Sequence, residues 1–206
     1  MDKTAFFKLS YGVFLLATQT DEKINACITN TCMQVASDPV RVCISCLNKN
    51  LTCEMIKKSG FFALSVLDMT CPYETIRHFG MQSGRDVDKF DGMELSLTSN
   101  GLPYLPWCSC AVISCKVISM EDLGTHTVFI AEVTDAEVLS SEAPMTYAEY
   151  QEKVKPKAAV KTQNRKIVAW KCKICGYIYE GSELPSQYLC PLCGHDASDF
   201  EPVYES

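Results

Sequence analysis

The chain has 206 residues, 47% of them hydrophobic and 21% charged, with a net charge of −6. That length holds one full domain and a small second one, and that composition excludes a disordered or collagen-like chain. The acidic balance speaks against a nucleic-acid partner, which calls for a basic patch or stripe. No apolar run nears the ~18 residues of a membrane span. The start, Met1-Asp2-Lys3-Thr4-Ala5, has no basic stretch leading into an apolar core, so no signal peptide is expected and the cytoplasm is the expected compartment. Thirteen cysteines, an odd number without a secretion signal, read as metal ligands and small buried residues rather than as a disulfide framework.

In chain order, residues 1–152 are β-rich. Tyr11–Thr20, Lys23–Asn30, Val40–Asn48, Phe61–Asp68, Cys110–Met120 and Thr127–Leu139 are dense in Val, Ile, Phe, Thr and Cys and are predicted strands. Asp21-Glu22-Lys23 reads as a hairpin turn. Phe129, Ala131 and Val133 share one strand face; Val128, Ile130 and Glu132 share the other. Two short helices fit between strands, Asn50–Lys58 with Leu51, Met55 and Lys58 on one face, and Pro72–Phe79 with Pro72 in the first turn. Many strands and few helices predict a barrel or sandwich. Residues 153–167 follow as a basic linker without hydrophobic period. Residues 153–169 carry six Lys and Arg and no acid, between an acidic body and an acidic tail.

Residues 168–206 form a separate piece. Cys172-Lys173-Ile174-Cys175 and Cys190-Pro191-Leu192-Cys193 are two CxxC pairs with fourteen residues between them. Each pair turns both sulfurs toward one ion, and two such knuckles close a tetrahedral sulfur site for iron or zinc. A piece this small has too little core to fold unaided, so the metal acts as its staple. Cys175-Gly176-Tyr177-Ile178-Tyr179-Glu180-Gly181, Cys190-Pro191-Leu192-Cys193-Gly194, Trp170 and Phe200 resemble rubredoxin, in the abbreviated form found at the end of rubrerythrins. The resemblance implies one iron (Fe2+/Fe3+) held by Cys172, Cys175, Cys190 and Cys193, with a structural zinc as the alternative. Cys43 and Cys46 lie three apart on a predicted strand, hence on opposite faces, and read with the other early cysteines as buried thiols.

Residues 1–152 in turn resemble the flavin reductase-like family of FMN-binding split β-barrels. The matching stretches are Asn25-Ala26-Cys27-Ile28-Thr29-Asn30-Thr31, Asp38-Pro39, Val42-Cys43-Ile44-Ser45, Asn48-Lys49-Asn50-Leu51-Thr52, Ser83-Gly84-Arg85-Asp86-Val87-Asp88-Lys89-Phe90 and Gly124-Thr125-His126-Thr127. The residues suit that chemistry. Asn48-Lys49-Asn50-Leu51-Thr52 sits between a strand and a helix, where free backbone N–H groups and the helix dipole attract a phosphate; Asn50 or Thr52 serves equally well as a simple helix cap. Arg85 and Lys89 supply cations. Alone, Ser83–Lys89 is a solvated loop and His126 a surface histidine. The resemblance implies FMN contacts from Thr29, Asn30, Thr31, Ser45, Asn48, Lys49, Asn50, Thr52, Ser83, Arg85 and Lys89, and places His126 near the nicotinamide or flavin.

The expected architecture is therefore mainly β, an FMN-binding split β-barrel with short helices followed by a small metal-stapled rubredoxin-like domain. NAD(P)H delivers electrons in pairs and a one-iron site takes them singly, so a flavin between them converts one into the other. The fusion resembles the high-molecular-weight rubredoxin family. It implies an NAD(P)H-dependent flavin and rubredoxin oxidoreductase whose electron acceptor is a flavodiiron protein, which reduces oxygen or nitric oxide, or a rubrerythrin. It also implies a homodimer. Two alternatives stand beside it, a flavin reductase that releases reduced flavin to a partner enzyme and carries a zinc knuckle, and a non-enzymatic FMN or haem sensor.

Overall fold

The computed structural model describes residues 1–156 and 166–205. The chain divides into two compact units, Ser10–Lys155 and a second that groups Met1–Leu9 with Pro156–Ser206. Residues 157–165, the larger part of the expected linker, lie outside the described residues.

The first unit is built on one seven-stranded antiparallel sheet. Its strands are β1 (Phe14–Gln19), β2 (Ile24–Thr29), β3 (Cys32–Ser37), β4 (Val40–Leu47), β5 (Phe61–Leu67), β8 (Ser109–Asp122) and β9 (His126–Val138), in the order β2-β1-β5-β8-β9-β4-β3. A two-stranded ribbon of β6 (Ser96–Leu97) and β7 (Pro103–Tyr104) lies between β5 and β8 in the chain. The β1–β2 hairpin turns at Asp21-Glu22, as the sequence predicts, closed by Thr20 N–H on the Lys23 carbonyl at 2.9 Å. Register shifts between Ser114 and Cys115 and between Val117 and Ser119 bend the long β8–β9 pair, which lets a sheet curl on itself.

β1 is buried on both faces. Leu16 joins Ile44, Phe62, Leu64 and Phe129 in one cluster. Leu15 and Ala17 turn to a second cluster with Leu67, Ile76, Phe79 and Met145. The period of two thus feeds two cores from one strand. Helix α2 (Tyr73–Gly80) covers the second core through Ile76 and Phe79. On β9, Phe129 and Ala131 face inward, while Val128, Ile130 and Glu132 stay partly exposed.

The structure differs from the sequence reading in three places. Helix α1 (Leu51–Ser59) buries Thr52, Cys53, Met55 and Ile56, not a Leu51–Met55–Lys58 face; Lys58 is exposed. β3 was not expected. It is an edge strand with Met33, Gln34 and Val35 all exposed, so it shows no alternation to read. The chain after Glu149 stays helical through Val154, behind a capping box in which the Thr146 hydroxyl and Glu149 carboxylate satisfy each other's backbone. Val154 packs on the second core, so the linker's first residues belong to the barrel unit.

In the second unit, β10 (Ile167–Cys172) pairs with β11 (Ile178–Glu180) on one side and β12 (Phe200–Tyr204) on the other. Tyr188 stands edge-on between Tyr179 (4.6 Å between ring centres) and Phe200 (5.5 Å). Its buried apolar side chains among the described residues are Ala169, Leu189, Phe200 and three cysteines. Among the described residues no helix is long and apolar enough to cross a membrane.

Lys89 is only 3% exposed, and its ammonium donates to the carbonyls of Ala26 (2.9 Å) and Phe79 (2.7 Å). Burial lowers its pKa. Lys89→Met keeps the stem and leaves two buried carbonyls without a donor. It is expected to lower unfolding free energy by about 2–4 kcal/mol. Denaturant unfolding measures this, and a loss below about 0.5 kcal/mol contradicts it.

Candidate functional site

The four C-terminal cysteines converge. Cys172 and Cys193 Sγ lie 3.7 Å apart, Cys175 and Cys190 Sγ 3.3 Å apart, and all four sulfurs fall within 4.8 Å of one another. The two pairs use one backbone device. Gly176 N–H closes on the Cys172 carbonyl and Gly194 N–H on the Cys190 carbonyl, each at 2.9 Å. Both glycines have a left-handed backbone (φ 75° and 76°), which explains glycine after each second cysteine. Cys172 N–H returns to the Tyr177 carbonyl (2.8 Å) and Cys190 N–H to His195 (2.7 Å).

Each turn also aims N–H groups at sulfur. Cys172 receives them from Cys175 and Ile174, Cys175 from Tyr177, and Cys193 from His195. The hydrogen bond from Cys193, then those N–H groups, hold Cys172 down to about 5. Burial pushes Cys175 up to about 11, a charge that a cation in the centre would offset. A tetrahedron of ~2.3 Å metal–sulfur bonds sets its sulfurs ~3.8 Å apart, so this donor set fits one iron or zinc ion. Cys193 is the least buried of the four.

In the barrel unit, the start of α1 gathers most of the remaining candidates. Asn50 stands at the N-cap with extended backbone (φ −73°, ψ 133°), and its side chain makes no cap bond. Cys53 and Glu54 N–H both return to the Asn50 carbonyl (3.0 and 3.4 Å), which leaves the Leu51 and Thr52 N–H groups as the open end of the helix. Lys49 is exposed beside them. Thr52 is fully buried and accepts from Asn25 Nδ2 at 2.9 Å. Asn48 is engaged on both sides. Its Nδ2 donates to Asp122 Oδ1 and the Gly124 carbonyl, each at 2.9 Å, and its Oδ1 accepts from Thr127 Oγ1 at 2.6 Å. Asn48 therefore braces α1 against the β8–β9 turn. His126 opens β9 opposite Leu47, with Nδ1 2.9 Å from Thr125 Oγ1.

The other candidates approach this helix start from two sides. Thr29 Oγ1 donates to the Ser45 carbonyl (3.2 Å), bringing the end of β2 onto β4. Thr31 N–H donates to Thr29 Oγ1 and Thr31 Oγ1 to Asn30 Oδ1. Arg85, half exposed, pairs with Glu54 in the first turn of α1, and that contact raises its pKa. Ser83 Oγ accepts from Arg85 N–H at 3.1 Å. Lys89 does not join them at the surface, because its charge is turned inward onto two carbonyls. Glu54 and Asn25 were not singled out by sequence; Glu54's signal is its place in the first turn of a helix beside a cation-rich loop.

Comparison with known proteins follows the same division. The flavin reductase like domain family matches residues 6–155, and the rubrerythrin, rubredoxin-like domain family matches residues 170–201. A high molecular weight rubredoxin of Moorella thermoacetica is 33% identical over 98% of this chain and all of its own length. A ferric-chelate reductase (NAD(P)H) of Archaeoglobus fulgidus is 40% identical over 73% of this chain and 89% of its own. An NADH:FAD oxidoreductase of Streptomyces globisporus C-1027 shares the fold, with a TM-score of 0.63 at 23% identity over 70% of this chain and 85% of that one.

The small core of the second unit makes its order depend on the ion. Removing metal with a strong chelator is expected to abolish amide protection in β10, β11 and β12 while β1, β5 and β8 stay protected. Hydrogen exchange reads both units in one sample, and retained protection in the metal-free sheet contradicts the dependence.

Proposed function

The chain belongs to the flavin reductase-like family and carries a rubrerythrin-type rubredoxin-like domain behind the barrel, and from that premise we propose that it is an electron-transfer oxidoreductase. Electrons enter from NAD(P)H or a protein donor, pass by way of FMN in the barrel unit to one iron at Cys172, Cys175, Cys190 and Cys193, and leave to a flavodiiron-type oxygen or nitric oxide reductase or to a rubrerythrin. The observation that carries the proposal is the presence, in one chain, of a four-sulfur site and a flavin-family barrel whose helix start is open. When bound, a flavin takes electrons as a pair and gives them up singly, and iron in four thiolates takes one at a time.

The chain's own residues have distinct parts in this. The open N–H groups of Leu51 and Thr52 and the dipole of α1 attract a phosphate. Arg85 and exposed Lys49 add positive charge beside it. Thr29, Asn30, Thr31 and Ser45 present backbone and hydroxyl groups where β2 meets β4, suited to the polar edge of a flavin ring. Asn48 and Thr52 hold the helix start in place through the bonds to Asp122, Gly124, Thr127 and Asn25. His126, hydrogen-bonded to Thr125 next to that helix start, is the group set to meet a nicotinamide. At the metal, N–H groups from Ile174, Cys175, Tyr177 and His195 stabilise thiolate charge. The proposal includes a homodimer, supported by the apolar surface of Met33, Val35 and Val40 on β3 and β4, which are 60%, 47% and 42% exposed.

The protein purified without added cofactor is expected to show flavin and ferric-thiolate absorption together, and anaerobic NADH is expected to bleach both. Flavin absorption without the iron bands selects the flavin reductase with a zinc knuckle instead. Both bands unchanged by NADH and NADPH replace the nicotinamide donor with a protein. Separately, Arg85→Ala is expected to weaken FMN binding about tenfold, or ~1.4 kcal/mol, and to leave riboflavin binding unchanged. Equal loss for both flavins in a fluorescence titration removes Arg85 from the phosphate site.

A further inference from the structure

Apart from the start of α1, the barrel unit holds a small cavity where the β6–β7 ribbon faces β8 and β9. It measures about 170 Å³. A water molecule in the liquid takes up ~30 Å³, so the space suits a ligand of about five heavy atoms. The ribbon that walls it is anchored at both ends. Leu105 N–H donates to Ser65 Oγ on β5 at 3.2 Å, and Ser99 Oγ donates to Asp135 Oδ2 on β9 at 2.6 Å. Between those anchors the turn after β6 closes on itself, with Thr98 N–H on the Leu102 carbonyl (2.8 Å) and Leu102 N–H on Thr98 Oγ1 (3.0 Å).

The sheet register supplies the chemistry. Ser114 pairs with Asp135 and Val112 with Glu137, so these four side chains share one face of the β8–β9 pair. Ile113 and Cys115 take the other face and pack in the cluster around Phe62 and Phe129. The ladder skips Thr134, whose hydroxyl donates to the Ser114 carbonyl at 3.1 Å, so a bulge falls directly beside Asp135. Ser114 is 2% exposed and lines the cavity, and its hydroxyl has no hydrogen-bond partner among the described residues. Asp135 and Glu137 are exposed at the rim, and neither has an ion-pair partner among the described residues. No Lys, Arg or His lines the cavity.

We propose that this cavity binds a short amino alcohol, with its ammonium on the Asp135 and Glu137 carboxylates and its hydroxyl on Ser114. Two carboxylates without a cation call for a positive ligand. A buried hydroxyl without a partner calls for a hydrogen-bonding group on the same ligand. Val112, Leu97 and the Tyr104 ring line the space between with apolar and aromatic surface, which suits a methylene stem and a cation beside a ring. Directly paired residues stand ~4.5–5.5 Å apart at Cβ, so a stem of two or three methylenes reaches from Asp135 to Ser114.

A metal ion suits the cavity less well. A hard divalent cation takes about six to eight oxygens, several of them from carboxylates. Here there are two carboxylates, and one of them already accepts from Ser99. Among the described residues, the four cysteines are the one group of three or more metal-ligating side chains close enough to share an ion. The cavity also stands apart from the electron-transfer function. Asp135 lies nine residues along β9 from His126, a run of ~25–30 Å in a strand.

The test titrates the isotope-labelled, metal-loaded full chain with propanolamine and follows the backbone amides by NMR. Saturable shifts are expected at Thr98, Ser99, Val112, Ser114, Asp135 and their neighbours. Propylamine, which lacks the hydroxyl, is expected to bind about threefold more weakly, and propanediol, which lacks the charge, about tenfold more weakly. Glu137→Gln is expected to weaken propanolamine about threefold. Ser114→Ala is expected to make propanolamine and propylamine bind alike. Shifts spread evenly over the acidic surface, or none that saturate by about 50 mM, overturn the site. Propanediol binding as tightly as propanolamine overturns the ammonium assignment, and calcium reproducing the same shifts replaces the ligand with a metal. A preference for the hydroxyl that survives Ser114→Ala removes Ser114 from the site.

Discussion

Polar side chains around the first turn of α1 are tied to partners from distant parts of the chain, and those bonds organise the barrel unit. Asn25 reaches Thr52, Lys89 reaches the Ala26 and Phe79 carbonyls, and Asn48 reaches Asp122, Gly124 and Thr127. Those bonds join β2, the chain after α2, the β4–α1 turn and the β8–β9 turn, segments far apart in sequence. The loop at Ser83–Lys89 is held by the same constraint. Gly84 presses so closely on Asn25 that a Cβ there would stand 2.2 Å from its Oδ1, and the Gly84 carbonyl accepts from Lys23. Glycine at 84 is thus a matter of space rather than of backbone angle.

The second unit solves a different problem. Its sheet has three strands and its apolar core is a few side chains, of which several are the cysteines themselves. The hydrophobic term available to so small a core is weak. Order is therefore shifted onto four sulfurs and the backbone turns that aim them, and stability becomes a function of metal binding. Tyr188, set between Tyr179 and Phe200, adds aromatic contact to that small core.

This difference explains what could be read from sequence. The four-sulfur cluster is legible in the sequence because its cysteines, their spacing and the glycines that permit each turn are local in the chain. The six predicted strands of the barrel were legible because buried strands are dense in β-branched and aromatic residues. β3 was not, since an edge strand with Met33, Gln34 and Val35 in solvent carries no alternation. The buried side of α1 is not visible in the sequence because Thr52 and Cys53 look neutral by type, and only tertiary packing shows them inside. Lys89 was expected at the surface for the same reason: charge predicts exposure unless carbonyls are waiting, and nothing in the sequence places the Ala26 and Phe79 carbonyls near residue 89.

The candidate flavin contacts divide along the same line. Lys49 is exposed, Arg85 is half-exposed on Glu54 and Asn50 is half-buried at the helix start, whereas Asn48, Thr52 and Lys89 are engaged within the protein. Family resemblance marked all six alike because a motif records which residues occur together, not which atoms are free. The distinction is physical. A buried Asn or Lys that already satisfies backbone carbonyls positions a site, since breaking its bonds strands two groups away from water. A half-exposed Arg on a first-turn Glu can exchange one anion for another at small cost, since exposed ion pairs hold weakly. The engaged residues fix where the open end of α1 lies, and Arg85 is the member of the set free to follow an arriving anion.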